Sequence, residues 1–179
     1  MATFSNSFGA PPATTAAYVQ SLLDLLGDQD PLEILPRVFE EVRGRIEGVD
    51  DARLRRPEAE RKWSVVQALQ HLADTEIVYG FRYRMILSHD TPEIAGFDQD
   101  LWVEKLHYAG ADPGEACEQL RVMREANLRL LRSASDGDLR RVGLHSERGA
   151  ESVRLMMKMH AAHDLVHLRQ IDRILAAVR

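Results

Sequence analysis

Hydrophobic positions recur along this chain at helical spacing in four long runs. The first opens at Asp30-Pro31-Leu32-Glu33, where Asp30 can cap free backbone N–H groups, Pro31 suits the first helical position and Glu33 can complete a capping box. Behind it Leu32, Leu35, Phe39, Val42, Ile46 and Val49 fall three or four apart, the buried face of an amphipathic helix. Pro36 removes a backbone donor inside this run and predicts a kink or a later helix start. After a polar stretch with Gly48, Asp50, Asp51 and Pro57, Ser64 and Gln67 make a second capping signature that opens a helix over residues 64 to 88. On its wheel Val65, Leu69 and Leu72 lie to one side and Val78, Phe81 and Met85 to much of the other, so this helix is expected to be covered from two directions.

Ala116, Leu120, Met123, Asn127 and Leu130 carry the third run, which is expected to end near Asp136-Gly137. The fourth, Glu151 to Val178, has no Pro or Gly and carries Leu155, Met159, Ala162, Val166 and Ile174. Between the second and third runs the composition turns to Asp, Pro and Gly, with a short helix predicted over Asp98 to His107. A loop holding Gly143, His145 and Gly149 precedes the fourth, and a further helix is predicted over Thr15 to Leu26. Sustained apolar/polar alternation is absent, so strand content is expected to be close to nil. The reading is an all-α chain with a flexible N-terminus over residues 1–12 and one domain over 13–179.

Composition narrows the function. The 179 residues hold 23 basic and 28 acidic side chains, a formal charge of −5 with no basic tract, which argues against nucleic acid or an anionic membrane as partner. A chain of this length needs no metal or disulfide to complete a core, so a metal site has to be functional. The single cysteine, Cys117, fits a reducing compartment and reads as a small core residue. The opening residues lack a basic segment followed by an apolar one, and no membrane-length apolar run follows; a cytoplasmic protein is expected.

The candidate chemistry lies in the histidines. His160, His163 and His167 fall within eight residues, and on a helix His163 and His167 share one face and can bind one cation. A third ligand must come from another helix, and His71 is the histidine of the second long run. Asp74, one turn beyond it, can fix an imidazole tautomer or act as a base. A ferritin-like di-iron site fails on ligand count, since only Glu104-Lys105-Leu106-His107 fits its motif. His-Glu-x-x-His, dinucleotide, Walker and nucleophile-elbow motifs are all missing.

These residues carry a resemblance. Lys62-Trp63-Ser64 leads to His71-Leu72-Ala73-Asp74-Thr75-Glu76 and Arg82, then Asp98-Gln99-Asp100-Leu101-Trp102, then His163-Asp164-Leu165-Val166-His167-Leu168-Arg169-Gln170-Ile171. In order and spacing, from about Tyr18 onward, this resembles the DinB/YfiT-like superfamily. The resemblance implies an up-down-down-up four-helix bundle, here with an extra N-terminal helix and a short helix in the long connection, often a homodimer. It implies a divalent metal such as zinc or nickel on His71, His163 and His167, and it leaves His160 out. Family members with known activity are metal-dependent transferases or isomerases that use a low-molecular-weight thiol, among them bacillithiol and mycothiol enzymes. The expectation is therefore thiol S-transfer or hydrolysis on a small molecule, with a non-catalytic metal- or ligand-binding stress-response protein as the alternative. Arg82, Trp102, His107 and His145 are further residues that could line the approach to the metal.

Overall fold

The computed structural model describes residues 9–178. Of the opening expected to be flexible, residues 1–8 lie outside the described part, and Pro12 already begins α1 (Pro12–Leu26). Asp30 accepts from the Leu32 N–H and starts α2 (Pro31–Ile34); Pro36 then tightens the chain into a 3₁₀ turn before α3 (Val38–Ile46), the kink its missing donor predicts. The polar stretch after it holds a short helix the sequence did not announce, α4 (Asp51–Arg55), capped by Asp50. In α5 (Val65–Ser88) the Ser64 hydroxyl takes the Gln67 N–H while the Gln67 side chain takes the Ser64 N–H, the capping box read from sequence. Next come α6 (Gln99–Lys105), capped by Asp98, and α7 (Pro113–Ser133), capped by Asp112. The third long helix stops before the expected Asp136-Gly137, because Ser135 and Asp138 cap a separate turn, α8 (Asp136–Leu139). Ser152 starts α9 (Val153–Ala177).

The expectation of almost no strand needs correction. The loop holding Gly143, His145 and Gly149 is a hairpin of β2 (Val142–His145) and β3 (Gly149–Ser152), and β1 (Glu93–Ile94) lies parallel to β2 with Glu93 opposite Leu144. Strands of two and four residues are too short for alternation to show. Gly143 is required here, since a Cβ would fall 2.8 Å from the side chains of both Ile86 and Ile94.

Partners along the helices give their directions. Asp74 meets Gln119, Glu76 meets Arg124 and Arg84 meets Asn127, so α5 and α7 run parallel. His71 meets His163 and Tyr83 meets His160, so α9 runs against α5. Arg45 pairs with Asp172, while Arg124 NH1 joins the Leu35 carbonyl to Asp164, so the Pro31–Ile46 segment runs with α9. The order is up, down, down, up, and the long connection carrying β1 and α6 exists because two successive helices point the same way.

The core comes in two apolar parts. One surrounds Val42, Leu69, Leu120 and Ile171; the other surrounds Leu26, Tyr83, Leu131 and Met156. α5 is buried on more than one side, but not where its wheel placed Phe81, which is 63% exposed; the second buried side carries Glu76, Tyr79, Arg82 and Tyr83. Among the described residues no helix is long and apolar enough to cross a membrane.

Candidate metal centre

Polar side chains occupy the space between the two halves of the core. α5 contributes His71 and α9 contributes His163 and His167, all buried, and one ring nitrogen from each lies within 4.8 Å of the other two. His163 Nε2 is 3.1 Å from His71 Nε2 and 3.1 Å from His167 Nε2. The Oε1 of Gln170, one turn after His167, accepts from His167 Nδ1 at 2.7 Å, which leaves the Nε2 lone pair facing the cluster. Trp63 closes one side, its ring stacked on His167 at 6.1 Å and tilted against His71 at 5.0 Å.

Burial, helped by the neighbouring imidazoles, holds the His71 and His163 rings well below the ordinary histidine range. Burial also brings His167 down to about 4 against the opposing Gln170 hydrogen bond. All three are therefore neutral bases at physiological pH, with their Nε2 atoms drawn together and His163 Nδ1 buried without a partner. Such a set is costly by itself and is relieved by a cation. Nitrogens bound at about 2.1 Å sit roughly 3.4 Å apart at tetrahedral angles and roughly 3.0 Å apart at right angles, so the observed spacing fits one divalent ion.

The other sequence-selected residues have different surroundings. Asp74 Oδ1 accepts from Gln70 at 3.0 Å and Gln119 at 2.8 Å, and Oδ2 accepts from the Tyr108 hydroxyl at 2.6 Å, so both oxygens are engaged along the α5–α7 seam. His160 is absent from the cluster: its Nε2 lies 2.8 Å from Glu76 Oε1 and its Nδ1 3.2 Å from the Tyr83 hydroxyl. Arg82 and His145 line a cavity of about 70 Å³ that reaches His71 and His163. Trp102 packs on Phe97, and His107, in the left-handed conformation at φ 55°, lines an open hollow beside Trp63 on the other side.

Sequence reasoning missed the ionic layer behind the cluster. Arg124 of α7 donates to Glu76 Oε1 at 2.7 Å and to the Leu35 carbonyl at 2.7 Å, and it lies 2.8 Å from Asp164 Oδ2. Asn127 donates to Glu76 Oε2 at 2.9 Å. Burial pushes the Glu76 carboxyl up, but Arg124 and His160 outweigh it and hold it down to about 2. For Asp164 burial wins and its carboxyl is raised. The available signal was that Arg124 falls on the apolar stripe of α7 beside Asn127; of the positions read from sequence Ala116, Leu120 and Asn127 are buried, and Met123 and Leu130 lie half-buried at the edge of that face.

Comparison with known proteins gives consistent findings. The DinB superfamily model matches residues 34–171. YfiT of Bacillus subtilis (strain 168), named as a candidate metal-dependent hydrolase, is 25% identical over 146 residues, 79% of this chain and 82% of the relative. OB0782 of Oceanobacillus iheyensis, named in the same way, is 26% identical over 112 residues, 63% of this chain and 64% of the relative. The solved structure of YfiT, described as having an unusual four-helix bundle topology, superposes with a TM-score of 0.75 at 20% identity, covering 94% of this chain and 92% of that one.

Proposed function

The chain belongs to the DinB superfamily, and from that premise we propose that it is a divalent-metal-dependent enzyme acting on a small molecule by hydrolysis or thiol S-transfer at His71, His163 and His167. The observation that carries this reading is the convergence of three buried, neutral imidazole nitrogens. Zinc and nickel are the preferred ions, since both suit imidazole donors. When bound, such an ion supplies Lewis-acid activation of a water or a thiol.

The chain's own groups do the rest. Gln170 holds the His167 tautomer and Trp63 shields two of the rings from solvent. Asp74 is a positioning residue: it ties α5 to α7 and to Tyr108 one turn from His71. Cys117 is packed in the core with its thiol pushed up to about 11 by burial and then by Asp112, so S-transfer draws its thiol from a co-substrate and not from this chain. The names of the two relatives favour hydrolysis, and the family resemblance favours transfer. A homodimer belongs to the same reading, with Ile77 and Phe81, one turn apart and exposed on α5, as apolar surface for a second copy.

The test is metal content by mass spectrometry on tag-free protein purified without chelator. About one equivalent is expected, lost in His71→Ala, His163→Ala and His167→Ala and kept in His160→Gln. Loaded protein is then assayed for ester and amide hydrolysis and for consumption of a low-molecular-weight thiol by a chromogenic electrophile. Metal without turnover would leave a metal-binding stress protein, and a wild type that cannot be loaded would overturn the proposal.

A further inference from the structure

The cavity that reaches His71 and His163 is walled by unpaired hydrogen-bond donors. Arg82 is 5% exposed, and its one hydrogen bond to the described residues runs from NH2 to the Ala95 carbonyl at 2.7 Å. Its guanidinium lies 5.9 Å from the ring centres of Tyr79 and of Phe97, and none of the described carboxylates forms an ion pair with it. Thr75, one turn beyond His71 and 3% exposed, has a hydroxyl without a partner. His145, also 3% exposed, receives the Glu147 N–H at Nδ1 at 3.1 Å, so its proton is on Nε2, and that Nε2 has no partner. Burial pushes the Tyr79 phenol up, so it too keeps its proton.

Leaving a buried cation without a counter-charge and two buried donors unpaired is expensive, and an anion in the cavity that all three line would offset that cost. The charge count indicates which anion. Arg148 is engaged by both oxygens of Glu151, and Glu147, half-buried at the rim, gives Oε1 to the Gly9 N–H. Arg82 is thus the guanidinium with no carboxylate on it, while Glu147 keeps its negative charge at the rim, so a monoanion on Arg82 is accommodated more readily than a dianionic phosphate. A volume of about 70 Å³ holds a carboxylate and a carbon or two, not a whole large substrate.

We propose that this cavity is a carboxylate subsite: the substrate is a small organic acid whose carboxylate rests on Arg82, Thr75 and His145 and whose remainder extends to the three-histidine cluster. The fork geometry of Arg82 suits a carboxylate's two oxygens. The use made of the bound acid rests on the metal-centre reading above; the binding of the acid does not.

The test is an NMR titration of the full-length protein with sodium acetate and with acetamide, its neutral counterpart of equal shape, read at the Thr75 methyl and the His145 ring. Metal content is measured on every sample. Acetate is expected to bind at least about tenfold tighter than acetamide, as a charge-assisted pair requires. Arg82→Gln should abolish that preference with metal content unchanged, and Arg82→Lys should restore part of it. Thr75→Val, which keeps shape and burial, should weaken acetate severalfold and keeps the test decisive where Arg82→Gln does not fold. Equal binding of acetate and acetamide, a preference that survives Arg82→Gln, or inorganic phosphate displacing acetate at lower concentration would each overturn the proposal. Failure to hold metal with the acetate preference intact would instead sink the metal-centre reading and leave this one standing.

Discussion

Replacing Arg124 by methionine removes the cation that holds two fully buried carboxylates, Glu76 and Asp164, and keeps most of its volume. The wild-type contribution can be gauged from Glu76, whose carboxyl is held at about 2 against an ordinary 4.5. That depression of about two and a half pH units, at about 1.4 kcal/mol each, corresponds to about 3 kcal/mol. Leaving buried carboxylates without their partner costs about 3–5 kcal/mol, a large share of the roughly 5–15 kcal/mol that holds a domain together. The sign of the pH dependence separates this account from mere loss of packing. In wild type the Glu76 contribution is complete above 4.5 and is lost as pH falls through about 2, while Asp164, whose carboxyl is raised, takes its proton earlier and is relieved by it. Without Arg124 both carboxyls keep their burial and rise, so the folded state binds more protons than the unfolded one. The variant should therefore gain stability as pH is lowered from 7.5 to 5. The assay is urea denaturation at several pH values on both proteins in the same metal state. A loss below about 1 kcal/mol, with no gain on acidification, would mean that this layer is hydrated and the reasoning wrong.

Gln170→Ala should loosen the His167 ring, lowering metal affinity by about 10–100-fold in a chelator competition while the fold persists. Because burial holds His71 and His163 well below the ordinary histidine range and His167 at about 4, protons compete poorly, and metal retention on dialysis should hold from pH 7.5 to 5; half-loss near 6.5 would contradict the neutral cluster. Gly80→Ala places a Cβ 2.5 Å from Asn127 Oδ1 and should cost about 1–3 kcal/mol in a thermal melt, since the parallel helices α5 and α7 have to separate. Cys117 should label with a thiol reagent at neutral pH only after unfolding.

Much of the bundle could be read from the chain, because helix caps and apolar spacing are local. Ser64 with Gln67, Asp30 with Pro31 and the proline-free stretch after Ser152 each set a boundary through neighbours within one turn. The histidine pair on α9 was legible for the same reason, and His71 joined it as the histidine of the second long run, a choice the family resemblance shared. The hairpin around Gly143 was not legible: it depends on the chain meeting Glu93–Ile94 about fifty residues away. The ionic layer was hidden too, since Arg124 interrupts an apolar stripe, and neither it nor Asn127 shows its role until the buried partners are known.

What the sequence by itself determined is therefore the set of long helices, one buried face of each and the residue types able to bind a cation. The family resemblance implied that α5 and α7 run parallel; only the tertiary structure decided that His160 turns to Glu76 and not to its neighbours one turn away, and that Arg82, Thr75 and His145 line one cavity in which the Thr75 hydroxyl and His145 Nε2 have no partner among the described residues. The physical reason is range. Helix formation is settled by hydrogen bonds within four residues, whereas the pairing of buried charges and donors depends on which distant side chains the packing brings within 3 Å.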